Sequence, residues 1–387
     1  MTLRIKVLKV FDRLIGGSLC ILLGFLSSFR CPIRMSVEEL RSQVRRILVI
    51  RPGGIGDMIL LLPVLQILRE QFANAQIDMV CERRNAEVLK MTKCKIDKLL
   101  LYDTNPAGFI LRLLRSRYDV AIDAEQFHNF SAVFAYLSGA NVRIGFKINP
   151  LRNPIYTHLV NYDVAGFETD QFMKLVEPLG IRSRRVQPVL DNVNKILPAS
   201  VENQVNLKRA FAVVHPGGNV RQKTWEPARY AELIKQLKSK FGLMTVIAGS
   251  KTEKRAESVI LKMLSGENDV ISVVGKLTLP ETAELIRRSA IFIGTDSGLA
   301  HLAIATGTRA VVLFGPTDEN KWGYTDNTHA IVRKQLPCAP CSMFGYYKPC
   351  RDVACLHQIE VDNVLIAVEK VLSREGGKKY EQKKTTS

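Results

Sequence analysis

Between Arg46 and Phe314 the chain runs twice through one alternation, in which a short apolar stretch leads through a turn into a helical pattern. In the first pass strands are predicted near 47–51, 76–81, 98–101, 118–123 and 142–146, with helices between them. In the second they fall near 211–215, 243–248, 271–274, 290–293 and 309–313, separated by helices near 227–240, 252–265, 280–289 and 298–306. Such a succession closes as βαβ units on a parallel sheet. The expected fold class is therefore α/β, with two Rossmann-like domains facing across a cleft. The 387 residues, 47% hydrophobic and 24% charged, suffice for two cores and are too apolar for a disordered chain. Between the passes, 168–180 reads as a helix and the polar stretch 191–209 as a linker.

The first residues do not belong to that alternation. Residues 3–15 wind into an amphipathic helix, and Leu14 to Phe29 then run for 16 residues without a charge, flanked by Arg13 and Arg30. That is short of the ~20 residues of a spanning helix. An in-plane or re-entrant membrane anchor is the leading reading. A spanning helix, a signal peptide and a helix packed on the protein's own surface are the alternatives. The expected divisions are 1–46 (membrane-associating helix and basic connector), 47–200 and 201–372 (the two Rossmann-like domains), and 373–387 (a disordered tail). A net charge of +18 favours an anionic partner. No RNA-recognition or zinc-finger signature accompanies it, so nucleic acid is not expected. The scattered Cys20, Cys31, Cys81 and Cys94 suggest no disulfide framework and a reduced, cytoplasmic chain.

Three motifs carry chemistry. RILVIRPGGIGDMILLLPVL (46–65) is a buried strand, a glycine turn with Gly54 and Gly56, and a helix. Asp57 stands where that helix opens, an odd place for an acid if phosphate were to bind there. VVHPGGNVRQKTWEP (213–227) ends a strand in Gly217-Gly218, with Lys223 close behind. Glycine backbone N–H groups and a mobile ammonium suit a diphosphate. AIFIGTDSGLAHLAIATGTRAVVLFGPT (290–317) supplies Asp296 and Ser297, whose side chains are expected to cap the next helix, then Gly298, Leu299 and His301. The N–H groups of Gly298 and Leu299 at that helix N-terminus can hold phosphate. Taken singly, each motif also fits a plain βα turn, a helix cap or a core histidine.

Together, RPGGIGDMILLLPVL, HPGG followed by KTWEP, GTDSGLAHLA and LFGPT resemble glycosyltransferase family 9, the ADP-heptose lipopolysaccharide heptosyltransferases, from about Arg46 to Val371. The resemblance implies a GT-B fold and an inverting transfer without a catalytic metal or other cofactor. It assigns the acceptor to the N-terminal domain and the nucleotide sugar, ADP-heptose above all, to the C-terminal one. By position it puts the family's catalytic residue on Asp57 and its diphosphate lysine on Lys223. The donor-contacting segment falls on Asp296, Ser297, Gly298, Leu299 and His301. Leu277 matches a position beside the adenine, and Glu253 a ribose-contacting glutamate. Asp57 would then serve as the base that takes the acceptor hydroxyl proton, and donors at 217–218 and 297–299 would stabilise the diphosphate. The N-terminal segment and Pro52-Gly53-Gly54 depart from the family pattern.

The expected acceptor is a lipid-linked phosphorylated saccharide, reached at the cytoplasmic face of the inner membrane. DAEQFHNFSA (123–132) and RIGFKINPLRN (143–153) should govern its choice. His128, Arg143, Lys147 and Arg152 are candidates to meet its phosphates, together with Gly54 and Gly56; a solvated basic surface is the competing reading. Cys338-x2-Cys341-x8-Cys350-x4-Cys355 fits a thiolate metal site, a disulfide or free thiols. The rival functions are a nucleotide-sugar epimerase of the same fold and a non-catalytic nucleotide-sugar-binding protein.

Overall fold

A computed structural model describes residues 9–29, 36–193, 196–205, 209–218 and 220–373. The expected positions Arg30 and Cys31, the first part of the 3–15 helix, and the tail beyond Ser373 lie outside these residues. The chain divides into two compact units, residues 1–194 and 195–387, so the described N-terminal helix α1 (Gly17–Ser28) belongs with the first.

In the first unit six parallel strands take the order β3-β2-β1-β4-β5-β6. They are β1 (Arg46–Ile50), β2 (Gln76–Cys81), β3 (Lys98–Leu101), β4 (Val120–Asp123), β5 (Val142–Lys147) and β6 (His158–Asn161). The polar edge strand β6 was not expected, because HLVN buries only Val160 and shows no apolar run. Strand β1 is buried throughout beyond its first residue, as a central parallel strand must be. It leads through Gly53, whose φ of +131° requires glycine, into α2 (Ile55–Gln71). Met58 to Val64 of α2 are buried without a gap, which explains why this helix reads as apolar on every side. The helix α3 (Asn129–Leu137) follows β4.

The second unit repeats the plan with β7 (Phe211–His215), β8 (Met244–Ile247), β9 (Val270–Ser272), β10 (Ile291–Thr295), β11 (Ala310–Phe314) and β12 (His329–Arg333), ordered β12-β11-β10-β7-β8-β9. Read from the other edge, this is the order of the first sheet. Strand β12 was also unexpected, and it too is an edge strand. The long helix α4 (Pro227–Phe241) and the short α5 (Gly298–Ala305) cover the sheet. Trp225 and Tyr230, both fully buried, anchor the core beneath α4 with rings meeting edge to face at 4.8 Å.

In each sheet the strand order reverses beside the first strand, between β1 and β4 and between β7 and β10. Crevices at such points, outside the carboxyl ends of the strands, are where α/β sheets bind ligands.

Candidate active site

In the second unit the reversal point is built from glycine. Strand β7 ends at His215, whose ring Nδ1 lies 3.0 Å from the Ala248 carbonyl oxygen; burial holds its pKa below the ordinary value, which keeps it neutral. A Cβ at Gly217 would stand 2.2 Å from Glu253 Cγ, and one at Gly218 would stand 2.7 Å from both Cβ and O of Lys223. Neither position admits another residue without movement. Thr295 Oγ1, ending β10, donates to the Gly217 carbonyl at 2.7 Å and ties the two strand ends together.

Lys223 follows in a 3-10 turn, and its Nζ lies 2.6 Å from Asp296 Oδ2. Thr317 donates to the same oxygen at 2.7 Å, and His301 Nε2 is 3.8 Å from Oδ1. Burial alone would raise the Asp296 pKa. The charges of Lys223 and His301, with the hydrogen bonds of Lys223 and Thr317, outweigh it and hold the carboxyl ionised. Asp296 therefore does not cap α5 as expected: its oxygens are turned toward Lys223 and Thr317. Ser297 occupies the N-cap position without a side-chain cap hydrogen bond, and its buried Oγ has no partner among the described residues. The first intrahelical donors are Ala300 and His301, both bonding to Ser297 O, so the N–H groups of Gly298 and Leu299 precede the ladder. Leu277 is half-buried just ahead of the helix that Thr278 caps. Glu253 is buried beneath Gly217, with its carboxylate bonded to Ser250 and Thr252 of its own turn.

In the first unit the reversal point is built from charge. Arg51, directly after β1 and almost fully buried, donates to the Ala124 carbonyl at 2.9 Å, to Glu125 at 3.1 Å and to Gln126 at 2.8 Å. Its other terminal nitrogen lies 2.9 Å from Asp57 Oδ1. Burial would lower the Arg51 pKa, but Asp57, Glu125 and Glu168 together raise it. Burial pushes Glu125 up, and Arg51 chiefly brings it back down below the usual carboxylate range. Gly54, not Asp57, is the N-cap of α2, and Asp57 sits in the first turn, where a carboxylate is favoured by the helix dipole. A Cβ at Gly54 would stand 2.7 Å from Asp57 Oδ2, so the glycine lets that oxygen fold back over the turn. Gly56 lies inside the same turn.

The other expected residues separate. His128 precedes α3, with Nδ1 3.5 Å from Asp12. Arg143 is buried and donates to the Ala140 and Ile155 carbonyls, each at 2.7 Å. Arg152 is fully buried against Asp123 at 2.8 Å, so both guanidinium groups serve the core. Lys147 is exposed at the end of β5. Cys338, Cys341, Cys350 and Cys355 are free thiols, and among the described residues no three His, Cys, Asp or Glu side chains are grouped to share a metal. Reading the sequence missed Arg51 and Glu125, although both lie inside motifs it quoted. It also missed Trp322 and Tyr324, whose rings each come within 6.5 Å of His301 beside Asp296. The aromatic run KWGY after LFGPT was the available signal.

Known proteins share this plan. Lipooligosaccharide heptosyltransferase 2 of Haemophilus influenzae is 28% identical over 316 residues, covering 74% of this chain and 88% of that one. Lipopolysaccharide heptosyltransferase 3 of Escherichia coli is 25% identical over 289 residues, covering 69% and 82%. Among solved structures, the E. coli ADP-heptose lipopolysaccharide heptosyltransferase II superposes with a TM-score of 0.68 at 21% identity, covering 85% of this chain and 98% of that one. This likeness bears out the two-domain α/β fold. The profile of glycosyltransferase family 9 (heptosyltransferase) matches residues 108–347, a span that holds both the glycine turn with Lys223 and the Asp296 segment. The chain thus belongs to glycosyltransferase family 9, and it is a glycosyltransferase.

Proposed function

We propose that the protein transfers a heptose from ADP-heptose onto a lipid-linked phosphorylated saccharide of the lipopolysaccharide core, with inversion, without a metal, at the cytoplasmic face of the inner membrane. The observation that carries this reading is the meeting of the Gly217-Gly218 turn, Lys223 and the bare N-terminus of α5 at one reversal point. Those groups suit a diphosphate. The similarity to heptosyltransferases supports the choice of sugar.

The two units divide the work. Lys223 and the N–H groups near 217–218 and 297–299 hold the diphosphate and stabilise the charge it gains as the bond from its oxygen to the anomeric carbon breaks. Glu253 supports the glycine turn from below, Leu277 lies beside the base, and His301 with Trp322 and Tyr324 faces the sugar. Asp57, held by Arg51, takes the proton of the acceptor hydroxyl as that oxygen attacks the opposite face of the anomeric carbon. His128 and Lys147 approach acceptor phosphates, while Gly54 and Gly56 keep the turn clear for the acceptor.

The test is to supply purified protein with ADP-heptose, with and without lipopolysaccharide-core acceptor. ADP release that requires acceptor, with heptose appearing on it, supports transfer. Conversion of the sugar without acceptor would make the chain an epimerase, and binding without either reaction would make it a receptor.

A further inference from the structure

The described part of the N-terminal segment is one helix, Lys9–Ser28, with a wide π-helical turn at Asp12–Gly16. One side of it is seated on the first unit. A Cβ at Gly16 would stand 3.0 Å from Asn129 Cβ, and one at Gly24 would stand 2.9 Å from Pro154 Cβ. Fully buried Cys20 donates its thiol to the Asn129 carbonyl at 3.5 Å. The Asp12 carboxylate accepts the backbone N–H groups of Asn129 and Phe130, both at 3.0 Å, and so caps α3 from outside.

Among the described residues, nothing covers the other side. Leu14, Ile21 and Phe25 are each 62% exposed, and Val10, Phe11, Ile15, Leu22, Leu26 and Phe29 are also exposed. Exposed Leu151, which borders the seam at Gly17, continues the apolar surface onto the body of the unit. A patch of this size signals an interaction surface.

We propose that the helix Lys9–Ser28 lies in the plane of an anionic lipid bilayer as a fixed part of the first unit, with Leu14, Ile21 and Phe25 among the acyl chains. Length does not decide between lying and spanning, since 20 residues at about 1.5 Å each match a hydrocarbon core of about 30 Å. The seam decides it. To cross the bilayer end-on, the helix would have to pull Asp12 from its partners and carry a carboxylate into hydrocarbon, or drag Asn129, Leu151 and Pro154 in with it. Lipid fits the face better than protein does, because a protein interface pairs its apolar centre with a hydrogen-bonding rim. Here the only acid, Asp12, points inward, while Lys9 and Arg13 at one end and a chain charge of +18 suit anionic headgroups. The inference deepens the proposed function, because an acceptor carried on lipid lies in the same plane, yet its readout needs no sugar.

The experiment is co-sedimentation of the full chain with phosphatidylethanolamine vesicles containing phosphatidylglycerol. The wild type should bind. The triple variant Leu14→Ser, Ile21→Ser, Phe25→Ser, altered only at exposed positions, should lose about 100-fold in partitioning, with unchanged turnover of a water-soluble acceptor fragment. Single tryptophans introduced as Leu14→Trp, Ile21→Trp and Phe25→Trp should be quenched to one shallow depth by lipids brominated along their acyl chains. A depth that passes through the mid-plane near residue 18 would overturn the proposal in favour of a spanning helix. Full binding by the triple variant would overturn it in favour of another surface. Absence of vesicle binding together with self-association in solution would make the patch a protein interface. Loss of transfer with vesicle binding intact would sink the proposed function and leave this inference standing.

Discussion

The two units share a strand order and differ in what fills the crevice where that order reverses. In the second unit the crevice is lined by backbone and by the ion pair of Lys223 with Asp296, beside glycines where a Cβ would press on Glu253 or Lys223. In the first it holds a chain of charges, Asp57 to Arg51 to Glu125, with Arg152 and Asp123 buried next to it. The lesson lies in the kind of group each presents. Backbone N–H groups around glycine offer fixed donors to an anion, whereas a carboxylate pinned by a buried guanidinium offers a held acceptor for a proton. One strand order thus carries two different sets of groups at its reversal point.

The contrast can be broken at its largest effect first. Asp57→Ala should lower kcat by roughly two to four orders of magnitude, as loss of a general base does, while the Kd for ADP-heptose measured by calorimetry stays the same. Near-normal turnover would dissolve the division of labour. Next, Arg152→Met should destabilise the first unit by about 3–5 kcal/mol in urea unfolding, because it strands Asp123, whose pKa burial already raises, without its counter-ion. Adding Asp123→Asn should recover part of the loss. If Arg152→Met costs no more than an exposed substitution, the charged crevice is not the closed network described.

Lys223→Ala should weaken donor binding about 10- to 150-fold, the range for a hydrogen bond to a charged group, and an unchanged Kd would return Lys223 to a role confined to Asp296. The smallest effect concerns the seam of the N-terminal helix. Burial pushes the His128 pKa down, but its bond to Asp12, aided by the Glu125 charge and opposed by Lys9, leaves it raised above 6.5. Burial pushes Asp12 up, while His128 and the N–H groups of Phe130 and Asn129 leave it lowered below 3.8. A raised histidine stabilises below its unfolded pKa and loses that contribution as pH climbs through the folded value; a lowered aspartate does so above its unfolded pKa and loses it as pH falls. Docking should therefore be firmest between about pH 4 and 6.5. Hydrogen exchange at Cys20 to Gly24, corrected for intrinsic rates, should be a few-fold faster at pH 8.5 than at pH 5.5. Equal protection at both would separate His128 from the seam.

The motifs were legible because their chemistry is local. Gly217, Gly218, Lys223 and Asp296 lie within short windows whose spacing announces a strand, a turn and a helix, and ten of the twelve strands of the two sheets were placed from apolar runs. Edge strand β6 escaped because an edge strand needs no continuous apolar run, whereas β12, with its buried Ala330 and Val332, was simply not read from its short apolar stretch. The cap expected from Asp296 was wrong for a different reason: a side chain that can cap a helix will leave it for a lysine and a threonine brought close by other strands. Arg143 and Arg152 looked like surface cations because sequence records charge without direction.

By itself, then, the sequence determined the two sheets, their turns and the residues able to meet a phosphate, since periodicity and glycine act over a few neighbours. Only the tertiary structure decided which partner each charge meets: Arg51 finds the Glu125 carboxylate across 74 residues, and the Asp12 carboxylate finds the backbone N–H of Asn129 across 117. Such pairs form because parallel strands deliver distant segments to one sheet end and burial then forces every charge to find a partner.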